Sequence, residues 1–146
     1  MDEFPLERAV QQAREALEEY GYPCEADSED LRAYFDAETV QDDRISMGEV
    51  ATNRFLLMHE LVEITEIKRL GLELTKDVIV QNYELVYGAR LKAAEVELEQ
   101  AALAGDHGHL RRRLEDVRSW CEDPLLPAAM KARCEDLRSW TESVLS

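Results

Sequence analysis

The chain has 146 residues, in which 17 Lys and Arg stand against 32 Asp and Glu, for a formal net charge of −15. This length fits one domain that buries a core without disulfides or a structural metal, so we expect residues 1–146 to form a single helical domain. The negative charge opposes phosphate backbones and argues against nucleic-acid and anionic-membrane partners. A cation, a small molecule or another protein, including a second copy of the chain, is the better expectation.

The cysteines and the hydropathy pattern indicate a soluble cytoplasmic protein. The chain has three cysteines, Cys24, Cys121 and Cys134. Their odd number argues against a disulfide framework, and the lack of a Cys-x-x-Cys spacing argues against a cysteine zinc site. No run approaches the roughly 18 apolar residues of a membrane span. We find no secretory hydrophobic segment either.

The first half of the chain predicts two helices, an ambiguous segment and a central helix. The first helix runs from about Pro5 to Tyr20 and ends at Gly21, and Ser28 caps a short second helix. Alternation between residues 36 and 47 permits a short strand, although an extended loop fits equally well. The central helix is predicted over Gly48–Leu70. Apolar residues occur on almost all of its sides, so we expect other helices to bury it.

The second half predicts a long helix and a helical hairpin. The long helix begins near the capping residue Thr75 and continues to about Ala104. Residues 115–122 then recur as residues 135–142 with six of eight positions identical. Prolines separate the two copies, which predicts a C-terminal hairpin over about 106–144. The expected fold is therefore an all-α bundle of about five or six helices packed around a central apolar helix.

The central helix carries polar residues that need an explanation. His59 and Glu63 are four residues apart and project from one helix face. A projection at about 100° per residue directs Glu60 away from them and gathers a polar seam. The seam consists of Thr52, His59, Glu63 and Glu66. Imidazole and carboxylates suit zinc, iron, manganese or nickel, so we predict His59, Glu63 and Glu66 as ligands of a divalent metal.

Further ligands would come from other elements. The acidic and histidine candidates are Asp36, Glu38, Glu95, Glu97, His107 and His109. Arg90 and Glu97 lie in the apolar sector of the long helix. We expect them to pair with the polar groups of the central helix.

The sequence His59-Glu60-Leu61-Val62-Glu63 resembles the zincin signature His-Glu-x-x-His, with Glu63 in the place of the second histidine. The resemblance covers about thirty residues. It implies a metal-dependent peptidase with His59 and Glu63 as ligands and Glu60 as general base. His59-Glu60 is also similar to the His-Asp pair of HD-type metal-dependent phosphohydrolases, but the upstream histidine of that ligand set is missing.

A second interpretation needs no metal. A histidine on a buried helix is often a core residue whose ring is satisfied by a carboxylate and a carbonyl. Glu63 and Glu66 would then pair with Arg90 or with an arginine of residues 111–113. The chain would be a non-enzymatic acidic interaction module or a homodimer. The sequence leaves both this module and a metal-dependent hydrolase open.

Overall fold

The computed structural model describes residues 3–36 and 46–146, and within these ranges the regular elements are all helical. The all-α prediction is confirmed at that level. The described residues form eight α-helices and one 3-10 turn instead of five or six helices. The helices are α1 Glu3–Tyr20, α2 Ser28–Phe35, α3 Met47–Thr52, α4 Arg54–Arg69, α5 Val78–Gln81, α6 Tyr83–Leu103, α7 His107–Cys121 and α8 Lys131–Leu145, and the 3-10 turn is Ala128–Met130.

The first two helices follow the prediction closely. The α1 helix ends at Gly21, whose φ of 100° is readily adopted by glycine. The cap of α2 is Asp27 and not Ser28, because Asp27 and Asp30 exchange side-chain and backbone hydrogen bonds in a capping box. Most of the segment predicted as strand or loop, residues 37–45, lies outside the described residues, and Met47 already belongs to α3.

The prediction of one helix over Gly48–Leu70 is wrong, because the chain breaks at Asn53. This residue has extended dihedrals, with φ −129° and ψ 110°. Its side chain accepts hydrogen bonds from the amides of Phe55 and Leu56 at 3.0 and 3.2 Å, and so caps α4. The break ends α3 and begins α4 as a separate helix.

The long helix predicted from Thr75 is also interrupted. Asn82, with φ −131° and ψ 33°, separates the short α5 from α6. The α6 helix then ends near Gly105, as expected.

The core forms where α4 packs along α6, and α4 also contacts α1, α2 and α3. Its buried apolar side chains are Phe55, Leu56, Leu57, Met58, Leu61, Val62, Ile64 and Ile67. The α7 helix packs against α6 and α8, and Pro124 and Pro127 lie between α7 and α8. Across the described ranges, no helix has the length and apolar character needed to cross a bilayer.

Candidate metal centre

Three polar side chains of α4 meet in the interior. The Nε2 atom of His59 lies 3.1 Å from Oε1 of Glu63 and 3.9 Å from Oε2 of Glu60. The side chains of His59 and Glu63 are 3% and 4% exposed, whereas that of Glu60 is 12% exposed. The predicted direction of Glu60, away from His59, is therefore wrong. Residues three apart on a helix are neighbours, and a glutamate side chain is long enough to reach across to Glu63's face.

The other ring nitrogen of His59 is held by α6. Its Nδ1 atom lies 2.8 Å from Oε1 of Glu97, whose side chain is fully buried. Because a carboxylate can only accept, Nδ1 carries the hydrogen. This contact fixes the orientation of the imidazole and aims Nε2 at Glu60 and Glu63.

Two residues of α7 complete the environment of Glu97. His109 donates from Nε2 to Oε2 at 2.6 Å. Arg113 donates from Nε to Oε2 at 2.8 Å and from Nη2 to Oε1 at 3.1 Å. With His59, the carboxylate accepts four hydrogen bonds, which matches its approximate lone-pair capacity. Glu97 is thus saturated and serves to orient its neighbours.

Glu63 has partners from two further helices. Tyr34 of α2 donates its hydroxyl hydrogen to Oε2 of Glu63. Arg90 of α6 places its Nε atom 3.7 Å from Oε1. The predicted pairing of Arg90 and Glu97 with polar groups of the central helix is confirmed by these contacts.

The protonation of the site follows from these contacts. Burial disfavours a charged His59, but hydrogen bonds to Glu63 and Glu97 outweigh burial and raise the pKa of His59 to about 9. Burial also opposes ionisation of Glu63 and Glu97. The pKa of Glu63 is nevertheless lowered by the hydrogen bond to His59 and the charge of Arg90, and the pKa of Glu97 is lowered by Arg113 and His109. At neutral pH an imidazolium therefore lies between two carboxylates.

Glu60 behaves differently because its contact with Nε2 of His59, at 3.9 Å, is too long for a hydrogen bond. Burial, followed by repulsion from the charge of Glu63, raises the pKa of Glu60 to about 7. A carboxyl group that ionises near neutral pH beside another carboxylate is poorly compensated. Additional positive charge at this point would stabilise it.

The group formed by His59, Glu60 and Glu63 could hold a metal ion. One ligand atom from each residue, a ring nitrogen or a carboxylate oxygen, lies within 4.8 Å of the other two. These are nitrogen and oxygen donors of the kind that divalent first-row metals accept.

The remaining predicted site residues lie elsewhere. Glu66 accepts hydrogen bonds from Tyr22 and Arg69. Glu95 pairs with Arg133 on α8. Three candidates are exposed, namely Thr52, Asp36 and His107, and Glu38 is outside the described residues. His109 reaches the site indirectly, through Glu97.

Thr52 joined the predicted seam because the projection assumed an unbroken helix. The break at Asn53 places Thr52 on α3, where its hydroxyl bonds back to the carbonyl of Gly48 at 3.0 Å. The contact of Tyr34 with Glu63 was not predicted from the sequence. The available signal was its hydroxyl, since a buried tyrosine usually finds a hydrogen-bond partner.

Comparisons with known proteins do not identify the chain: no family model, no curated protein and no solved structure matches it.

Proposed function

We propose that this protein binds one divalent first-row transition metal, such as zinc, iron, manganese or nickel, through His59, Glu60 and Glu63. One observation carries the proposal. Three potential ligand atoms converge within 4.8 Å at the ring nitrogen of His59 that Glu97 does not hold.

The distances are compatible with coordination. Bonds of about 2.1 Å around a tetrahedral ion place the ligand atoms about 3.4 Å apart. The separations from Nε2 of His59 to Glu63 and Glu60, 3.1 and 3.9 Å, lie on either side of that value. Small rotations of the two carboxylates would bring them to a common ion.

Glu97 supports the proposal as an orienting group. A histidine that binds a metal commonly donates its other N–H to a carboxylate, which fixes the tautomer and increases the basicity of the ligand. The 2.8 Å contact between Nδ1 of His59 and Glu97 has this form. Because Glu97 already accepts four hydrogen bonds, we do not propose it as a ligand.

The carboxylates around His59 favour a metal cation at its Nε2 atom in place of the proton. Without an ion, the proton on His59 supplies the positive charge between Glu63 and Glu97. A divalent ion at Nε2 would displace that proton and would compensate Glu60 and Glu63 together. The raised pKa of Glu60, about 7, indicates that this compensation is incomplete without an ion.

The activity class that we propose for this site is metal-dependent hydrolysis. Three protein ligands leave a coordination position for water, and zinc lowers the pKa of bound water to about 7. Glu60 is the most exposed of the three, so we place the approach of water and substrate on its side. In this arrangement Glu60 is a third ligand, whereas the zincin resemblance implies a general base.

The test is the metal content of protein purified without chelators, measured by elemental analysis. We expect close to one ion per chain in the wild type, and its loss in His59→Gln and Glu63→Gln. The matched control is His107→Gln, which removes an exposed histidine and should retain the metal. Circular dichroism verifies that each variant is folded.

A second measurement covers loss of the ion during purification. Zinc chloride is titrated into chelator-stripped protein by calorimetry. Absence of metal from the purified wild type together with absence of zinc binding would refute the metal site, and so would binding that His59→Gln and Glu63→Gln leave unchanged.

A further inference from the structure

Two cysteine thiols lie side by side where α7 packs against α8. The Sγ atoms of Cys121 and Cys134 are 3.0 Å apart, and both residues are buried free thiols. A disulfide bond is about 2.05 Å long, so an approach of about one ångström would join them. We propose that Cys121 and Cys134 form a dithiol oxidation site, at which a peroxide converts the two thiols to a disulfide that links α7 to α8.

The two thiols differ in access. Cys121 is the last residue of α7 and is 7% exposed, whereas Cys134 is 0% exposed. Hydrogen peroxide is small enough to enter beside a slightly exposed residue at a helix end, where a bulky disulfide reagent is excluded. Cys121 is therefore the thiol that meets the oxidant.

Cys134 is suited to the second step. Burial and the contact with Cys121 raise the pKa of the Cys134 thiol, which keeps it protonated and slow to react with an oxidant in solution. Its position beside Cys121 nevertheless allows it to attack an oxidised sulfur there. This division into a reacting and a resolving cysteine is common at dithiol oxidation sites.

The reaction balances with one peroxide. The sulfur of Cys121 attacks a peroxide oxygen, the O–O bond breaks, and the thiol proton leaves with the released hydroxide as water. Cys121 becomes a sulfenic acid. The sulfur of Cys134 then attacks that of Cys121, the S–S bond forms as the S–O bond breaks, and the proton of Cys134 leaves with hydroxide as a second water. Two thiols are oxidised and one peroxide is reduced to two waters.

The disulfide would change the stability of the hairpin. It would close a loop with 12 residues between the two cysteines, including Pro124 and Pro127. A cross-link of this size restricts the unfolded chain and raises the unfolding temperature by an amount on the order of 10 °C.

The experiment treats the folded full-length chain with hydrogen peroxide in the presence of EDTA, alkylates the remaining thiols and maps the peptides by mass spectrometry. We expect a cross-linked peptide pair that contains Cys121 and Cys134, alkylated Cys24, and full reversal by dithiothreitol. Thermal unfolding of the oxidised chain should occur at a higher temperature.

The matched control is Cys24→Ala, which removes the third buried thiol and should leave the cross-link intact. Cys121→Ala and Cys134→Ala should each abolish both the cross-link and the temperature shift. The proposal is overturned if the folded chain forms no bond between Cys121 and Cys134, if Cys24 or another chain supplies the partner, or if the bond appears only in denaturant.

Discussion

At the scale of single residues, the carboxylate of Glu97 connects α4, α6 and α7 in the interior. Its partners His59, His109 and Arg113 are all buried. The Nη1 atom of Arg113 also lies 2.9 Å from Oδ2 of Asp116. Loss of the negative charge of Glu97 would leave much of the positive charge of His59 and Arg113 uncompensated in the protein interior.

We therefore expect Glu97→Gln to reduce the free energy of unfolding by about 3–5 kcal/mol, the usual cost of breaking a buried ion network on one side. Denaturant unfolding followed by circular dichroism measures this loss. Glu95→Gln is the control, because Glu95 lies two residues earlier on α6 and forms a partly exposed pair with Arg133. The loss of free energy of unfolding in Glu95→Gln should stay below about 1 kcal/mol. Equal losses in the two variants would contradict the central role of Glu97.

His59 gives a prediction about pH. Its pKa rises from 6.5 to about 9 in the fold, so the folded state binds the proton more tightly than the unfolded chain. The stabilisation is fully present below pH 6.5 and is lost as the pH rises to about 9. One pKa unit corresponds to about 1.4 kcal/mol, so the loss is about 3 kcal/mol.

Unfolding curves recorded in EDTA between pH 6 and 9.5 test this dependence. His59→Gln cannot take up the proton and should show a flatter profile across the same interval. A wild-type profile as flat as that of the variant would count against the raised pKa.

The sequence predicted part of this site. The i, i+4 spacing correctly placed His59 beside Glu63, because both residues lie within one uninterrupted helix. The position of Glu60 was missed because a projection gives only the direction of the Cα–Cβ bond and ignores the length of the side chain. The contact of His59 with Glu97 joins residues that are 38 apart in sequence. Only the charge of Glu97 and its position in the apolar sector of the long helix suggested this contact.

At the scale of elements, the sequence marked the outer ends of helices better than their internal breaks. The predicted ends at Tyr20, Leu70 and about Ala104 lie within one residue of the ends of α1, α4 and α6. The glycines that follow these helices, Gly21, Gly71 and Gly105, adopt positive φ. Asn53 and Asn82 interrupt segments whose apolar pattern continues across the break. No glycine or proline marks these positions, and asparagine is common both within helices and at their caps.

The cap at Asn53 leads to a matched pair of substitutions. Asn53→Ala removes the acceptor for the amides of Phe55 and Leu56 and should cost about 1 kcal/mol. Asn82→Ala makes the same change at a break where the side chain caps no amide and instead donates to the carbonyl of Val78. Asn82→Ala should therefore reduce the free energy of unfolding by less than Asn53→Ala does.

Chemical denaturation of the two alanine variants and of Asn53→Asp measures the comparison. Asn53→Asp keeps the acceptor and should restore most of the lost stability. If Asn82→Ala proves the more damaging of the two alanine variants, the side chain of Asn53 does not hold the start of α4.

At the scale of the whole molecule, several large apolar side chains remain at the surface while the chain carries a charge of −15. Among those exposed by more than a third are Leu70, Val80, Leu85, Leu103, Leu125 and Trp140. Self-association remains a prediction. Because like charges on two copies repel, association should strengthen as salt screens them.

Sedimentation velocity over the micromolar range, at about 0.02 and 0.5 M salt, tests this expectation, since the Debye length falls severalfold between these conditions. We expect the average sedimentation coefficient to rise with protein concentration, and more steeply at high salt. A single monomeric species under every condition would rule out the homodimer.

The saturation of Glu97 also bears on the order of folding. Its donors come from α4, which precedes it in the chain, and from α7, which follows it. A folding intermediate in which α4 and α6 had docked without α7 would bury a carboxylate that lacked most of its hydrogen-bond donors, and such a state is costly. The three helices should therefore gain and lose protection as one cooperative unit. Native-state hydrogen exchange would then give the slowest amides of the three helices a common opening free energy.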